Sequence, residues 1–155
     1  MKSKLPYRKG VNVVIFNVHS KKFLLVQLKE YKSNEWKFVG GGVESGEIPI
    51  NAAYREIEEE VGLKKSSLRL LGKSSFVQKY TFPDNIKSDV KKIFKGQEKI
   101  QFVFLFVGNE KDLVLQKDEI RKARWIEFQE LSKYMTFPDQ FENAKKLVKE
   151  FDLLV

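Results

Sequence analysis

A chain of 155 residues is long enough for one domain with a real core and too short for two. Its 29 basic and 21 acidic residues leave a net charge of +8, which favours an anionic ligand, nucleic acid included. With no cysteine, a disulfide framework, a thiolate nucleophile and a structural zinc site are excluded, and a reducing cytoplasm is the compartment that fits.

The opening Met1-Lys2-Ser3-Lys4 is basic, but no apolar run of signal-peptide length follows it. No segment approaches the ~18 apolar residues of a membrane span. The expectation is a soluble, cytoplasmic protein with no membrane partner. Gly10 to Phe16 and Lys22 to Leu28 are β-branched or apolar runs and read as two strands. The turn between them holds the lone histidine, His19, expected at the surface. A short strand over Lys37 to Val39 leads into Gly40-Gly41-Gly42. A helix is expected over Ile50 to Val61, because Pro49 suits a first turn and Gly62 suits the position just past a helix end.

Leu68 to Val77, Ile100 to Val107 and Arg124 to Ile126 read as further strands. Phe141, Ala144, Leu147, Val148 and Phe151 recur at helical spacing after Pro138 and are expected in the core, as are Trp36, Phe38 and Trp125. From Gln78 to Lys99 no period is sustained, so a loop of about twenty residues is expected. It carries Tyr80, Phe82, Pro83 and the lysines 87, 91, 92, 95 and 99. Two readings stand: a solvated insertion, or a cationic flap over polyphosphate with Tyr80 or Phe82 stacking on a base. With no internal repeat or linker, one mixed sheet with helices on both faces accounts for the whole chain, residues 1–155.

The most specific pattern lies between Gly41 and Leu63: Gly-x5-Glu-x7-Arg-Glu-Ile-x-Glu-Glu-x-Gly-Leu. On the expected helix Ile50, Ala53, Ile57 and Val61 gather on one side, and Glu56, Glu59 and Glu60 on an adjacent side. Glu58 points to solvent. Three neighbouring carboxylates repel one another, and a hard divalent cation such as Mg²⁺, which binds carboxylate, water and phosphate oxygens, relieves that repulsion. The loop glycines, Gly46 included, let backbone pass close to metal and phosphate. A solvated, Glu-rich amphipathic helix is the ordinary alternative for three acids alone. Nine positions fixed over 23 residues decide against it.

This segment matches the signature of the Nudix hydrolase family without a departure, and the chain is identified as a member. The resemblance implies an α/β fold, the α/β/α sandwich with a mixed central β-sheet. It also implies a hydrolase dependent on Mg²⁺, or Mn²⁺ in its place, that acts on a nucleoside diphosphate linked to another moiety. Glu56, Glu59 and Glu60 would hold the metal with the Gly41 carbonyl. Glu47 and Arg55 would orient the site, and the base would be Glu59 or Glu119. For Glu119 a plain surface acid is the alternative.

Beyond that segment the chain is similar to the branch containing RNA 5′-pyrophosphohydrolases and asymmetrically cleaving dinucleoside tetraphosphate hydrolases. The matching pieces are Tyr7-Arg8-Lys9-Gly10-Val11-Asn12-Val13, Trp36-Lys37-Phe38, Tyr80-Thr81-Phe82-Pro83, Gly96-Gln97-Glu98-Lys99, Glu119 before Trp125, and Phe137. They imply a nucleoside polyphosphate or an RNA 5′ end as partner, with Arg8, Tyr80, Gln97, Lys99 and Phe137 as substrate contacts. Arg8 capping a strand and Phe137 stapling the last helix are the structural alternatives. The branch has Pro-Gln immediately before the last two loop glycines, whereas this chain has Val39-Gly40. A nucleoside triphosphate pyrophosphohydrolase is the competing enzyme, and a nucleotide-sensing module without turnover is the competing class.

Overall fold

The computed structural model describes residues 4–82 and 93–154. At its centre β1 (Tyr7–Asn17) is buried from Gly10 onward, as a strand with β-branched and apolar residues on both faces must be. β2 (Lys22–Leu28) pairs antiparallel with β1 only at its start, through Phe16↔Phe23 and Asn17↔Lys22. The two then diverge, and β3 (Val39–Gly42) takes over the earlier half of β1, from Gly10↔Gly42 to Val13↔Val39. β5 (Gly96–Phe106) runs parallel to β1 along its full length. β4 (Leu68–Thr81) and β6 (Ile120–Glu127) form the two edges, giving the order β4-β5-β1-β2-β6 with β3 beside β1.

Strand alternation sends side chains to two cores. Val11, Val13 and Ile15 face α1 (Pro49–Val61), which buries Ala53, Ile57 and Val61 against them. Val14, Phe16, Phe23 and Leu25 face the opposite layer. There α2 (Leu131–Tyr134) contributes Leu131, and α3 (Gln140–Glu150) contributes Ala144, Leu147 and Val148. This is the expected α/β/α sandwich on a mixed sheet. Trp36 and Phe38 are core residues; Phe141, Phe151 and Trp125 pack at the edges of the cores. His19 lies exposed in its turn. No helix among the described residues is long and apolar enough to cross a membrane.

Two expectations change. The short strand falls on the glycines, Val39–Gly42, rather than on Lys37 to Val39, because it is defined by its ladder to β1; Lys37 makes a separate bridge to Val26. The loop expected from Gln78 to Lys99 is corrected at both ends, since β4 continues to Thr81 and β5 begins at Gly96, paired through Thr81↔Gly96. Gln78 to Thr81 and Gln97 to Lys99 are exposed or half-buried, and no apolar alternation marks them. Pro83 and the lysines 87, 91 and 92 lie outside the described residues.

A polar network ties α3 to the sheet. Gln101, fully buried, accepts from Asn12 Nδ2 at 2.8 Å and from Asn143 Nδ2 at 2.6 Å. At the irregularity between Lys73 and Val77, Glu150 accepts from Ser74 Oγ, the Ser75 N–H and Ser75 Oγ at 2.6, 2.7 and 2.9 Å. Glu150→Ala frees these donors and lowers stability by about 1–2 kcal/mol. Thermal unfolding reads the loss, and KM stays unchanged because none of these groups touches the site.

Candidate active site

α1 carries Glu56, Glu59 and Glu60 in its last two turns, with no basic residue in the last turn. That is the negative end of the helix dipole, where carboxylates cost stability instead of adding it. The three are not equivalent. Glu60 is 4 % exposed. It accepts from the Gly40 N–H at 3.1 Å, and the Lys37 ammonium stands 3.4 Å from its other oxygen. Glu56 is mostly buried, and burial, with the charge of Glu60 adding to it, raises its pKa above the usual carboxylate range. Glu59 is exposed, as is Glu58.

Arg55 binds the segment together. Its guanidinium donates to both oxygens of Glu47 at 2.8 and 2.9 Å, to Glu56 at 2.8 Å, to Glu59 at 3.2 Å and to the Gly42 carbonyl at 2.8 Å. The hydrogen bond from Arg55 holds the Glu47 carboxyl down at about 2. The glycine loop is thereby fixed to the helix. A Cβ on Gly41 would lie 2.5 Å from the Glu56 carboxyl, so only glycine lets this backbone run against that side chain. One residue on, the Arg8 guanidinium covers Gly42.

Across β4, β5 and β1 the registers Tyr80↔Gln97 and Arg8↔Gln97 set Tyr80, Gln97 and Arg8 in one row on one face. Lys99 stands in the next row opposite Gly10. Desolvation, with the nearby charge of Lys37, pulls its ammonium down to about 7, and Glu60 and Glu56 act against that shift. Phe137 is 36 % exposed, with its ring 5.3 Å from Tyr31 in an edge-on contact. It lies outside both cores, and its N–H donates to the Gln140 side chain at the start of α3 at 3.1 Å. Burial raises the Tyr31 hydroxyl pKa, and the charges of Tyr80, Glu30 and Glu60 raise it further.

A profile of the NUDIX domain matches residues 6–151. The chain belongs to the Nudix family. Solved structures agree on the fold. An Ap4A hydrolase binary complex from C. elegans superposes with a TM-score of 0.72 at 21 % identity, over 94 % of this chain and 98 % of that one. The E. coli dihydroneopterin triphosphate pyrophosphohydrolase gives 0.74 at 20 % identity, over 94 % and 99 %. A MutT protein from Methanosarcina mazei gives 0.66 at 20 % identity, over 96 % and 97 %. This Nudix protein is accordingly a hydrolase of phosphorus-containing acid anhydrides, with nucleoside polyphosphates as its general substrate class.

Nudix enzymes generally need a divalent cation, and the donor set here suits one. Glu56, Glu59 and Glu60 supply only oxygens, which a hard ion prefers, and the mutual repulsion seen at Glu56 is what such an ion would relieve. Among the described residues no three acids stand in a ready coordination shell, because Arg55 holds Glu56 and Glu59 while Lys37 holds Glu60. Glu119 is exposed on the loop before β6, without a side-chain hydrogen bond or ion pair to the other described residues. That loop is nevertheless adjacent, since the Gln116 N–H donates to the Glu60 carbonyl at 3.1 Å.

Lys37 and Tyr31 escape a sequence reading. A lysine inside the apolar run Trp36-Lys37-Phe38-Val39 was the available signal for the first. Tyr31 stands in a polar turn and gave none. Glu56→Gln and Glu60→Gln are each expected to remove most activity at moderate Mg²⁺, with Glu58→Gln near normal in the same steady-state assay. A Glu58 variant as impaired as the Glu60 one would contradict the site. Because the Glu47 pKa is depressed, its contribution to stability is present above the ordinary value of 4.5 and is lost as pH falls toward about 2. Glu47→Gln should flatten the acid limb of the melting-temperature profile in that window.

Proposed function

We propose that this chain is a Mg²⁺-dependent hydrolase that directs water onto a phosphorus of a nucleoside polyphosphate, either a dinucleoside tetraphosphate or a 5′-triphosphorylated RNA. One observation carries the choice. Arg8, Gln97 and Tyr80 stand in a row beside Lys99, and Lys99 feels the charges of Glu56 and Glu60. A base and a phosphate chain can therefore be held next to the acidic turns.

In this reading Glu56, Glu59 and Glu60 hold the ion, with the Gly41 backbone beside them. When bound, Mg²⁺ neutralises phosphate charge and lowers the pKa of water. Arg55 and Glu47 keep the carboxylates and the glycine loop in place. Lys99 offers its ammonium group to phosphate oxygens. Arg8 and Phe137 enclose a base without reading its identity, with the exposure of Phe137 supporting that role. Glu59 or Glu119 takes the proton from the attacking water. Glu59 is already in the site, and Glu119 would reach it from the adjoining loop.

A nucleoside triphosphate pyrophosphohydrolase is the second reading, and Gly40 favours it. A Cβ at Gly40 would lie 2.2 Å from the Val11 carbonyl oxygen, so this backbone cannot carry the glutamine found there in the RNA and dinucleoside branch. Incubation with Mg²⁺ and a panel of nucleoside triphosphates, diadenosine tetraphosphate and 5′-triphosphorylated RNA, with products separated by anion exchange, decides the substrate. Turnover should vanish with chelator. Tight nucleotide binding without products would mark a sensor instead. Phe137→Ala is expected to raise KM for the preferred nucleotide roughly tenfold with little change in melting temperature.

A further inference from the structure

A cavity of about 590 Å³ lies beside the acidic turns and is used by none of the groups above. Its floor is apolar. Leu113, Leu115 and Ile120 belong to the core on the α1 side, and Val114 is 69 % exposed over it. Its rim is cationic, formed by Lys29, Lys117 and Arg121. Arg121 builds the wall: its guanidinium donates to the carbonyls of Lys29 and Tyr31. The lysines are exposed. A mostly apolar cleft of this size with a few charged groups at its edge suits a ring that carries an anion.

Its position is fixed by backbone contacts. The Val114 and Gln116 N–H groups donate to the carbonyls of Val61 and Glu60 at 2.8 and 3.1 Å, and the left-handed Gly62 packs against Val114. On its other wall the Lys29 N–H donates to the Glu119 carbonyl at 2.9 Å. The cavity thus adjoins the end of α1, on the α1 side of the sheet. Arg8 shares its face with Asn12 and Val14, toward α3, and so lies on the other side. Glu56 packs on Gly41 from the α1 side, one residue from Gly42, which Arg8 covers from the other side.

We infer that this cavity seats the second nucleoside of a dinucleoside polyphosphate whose first base lies at Arg8 and Phe137. The inference rests on the proposed function and narrows it. A phosphate chain laid across Glu56 and Glu60 connects the two seats. The rim lysines donate to the hydroxyl oxygens of the second ribose, and the apolar floor meets the second ring. A mononucleotide has nothing to place there.

The test compares diadenosine tetraphosphate with adenosine 5′-tetraphosphate, which carries the same phosphate chain without the second nucleoside. Val114→Asp places a charge over the apolar floor, and the double change Lys29→Gln with Lys117→Gln strips the rim. Either is expected to raise KM for the dinucleoside about tenfold, with kcat and the KM for adenosine tetraphosphate within about twofold. The exposed lysine variant keeps the test intact if Val114→Asp fails to fold. Equal changes for both substrates, or none for either, would overturn the second seat and leave the proposed function standing. A wild-type enzyme that hydrolyses neither compound would overturn both.

Discussion

A carboxylate withdrawn from water at the negative end of a helix is the constraint around which this protein is organised. Glu60 has almost no solvent to stabilise it, so its partners must be protein groups, and they are the Gly40 N–H and the Lys37 ammonium. Lys37 lies between β2 and β3, bridged to Val26, and Gly40 lies in β3 itself. Lys37 is itself anchored to the carbonyls of Phe38 and Gly40 at 3.2 Å. The divergence of β2 from β1, which admits β3, is therefore the condition for Glu60 to be buried where it is.

Around that point the sheet is reduced to bare backbone. Gly10 faces Gly42, Gly41 faces Val11, and side chains from two layers close on the gap, Glu56 from α1 and Arg8 from β1. Without Cβ atoms in the way, cations on one face and carboxylates on the other lie near enough to shift each other's ionisation, as Lys99 records. Arg55 then prevents the arrangement from spreading, because one planar guanidinium bonds the loop, Glu47 and two of the acids at once.

Much of this was legible in the sequence. The core faces of β1, β2, α1 and α3 follow from period, and Pro49 and Gly62 bound α1 where they should. The spacing of Glu56, Glu59 and Glu60 fixes their phase on the helix, but it does not reveal that one is buried and another exposed, which depends on where β3 crosses. Strand ends such as Gln78 to Thr81 and Gln97 to Lys99 carry no apolar alternation, their residues being half-buried or exposed, so pairing alone defines them. Tyr31 is held by long-range contacts, the Arg121 bond to its carbonyl, between residues 90 apart in the chain, and the ring of Phe137.

The crowding at Gly40, Gly41 and Gly42 also bears on how such an enzyme can diversify. Each of these positions meets backbone, a carboxyl or a guanidinium at once if a side chain is added, so mutation there offers loss rather than novelty. Turns around Lys29, Gln116 and Phe137 carry no such restriction, since surface connections accept changes in length and composition. Heritable shifts in substrate choice, and any laboratory selection for them, have their accessible routes in those turns, with the glycine cradle carried along unchanged beneath.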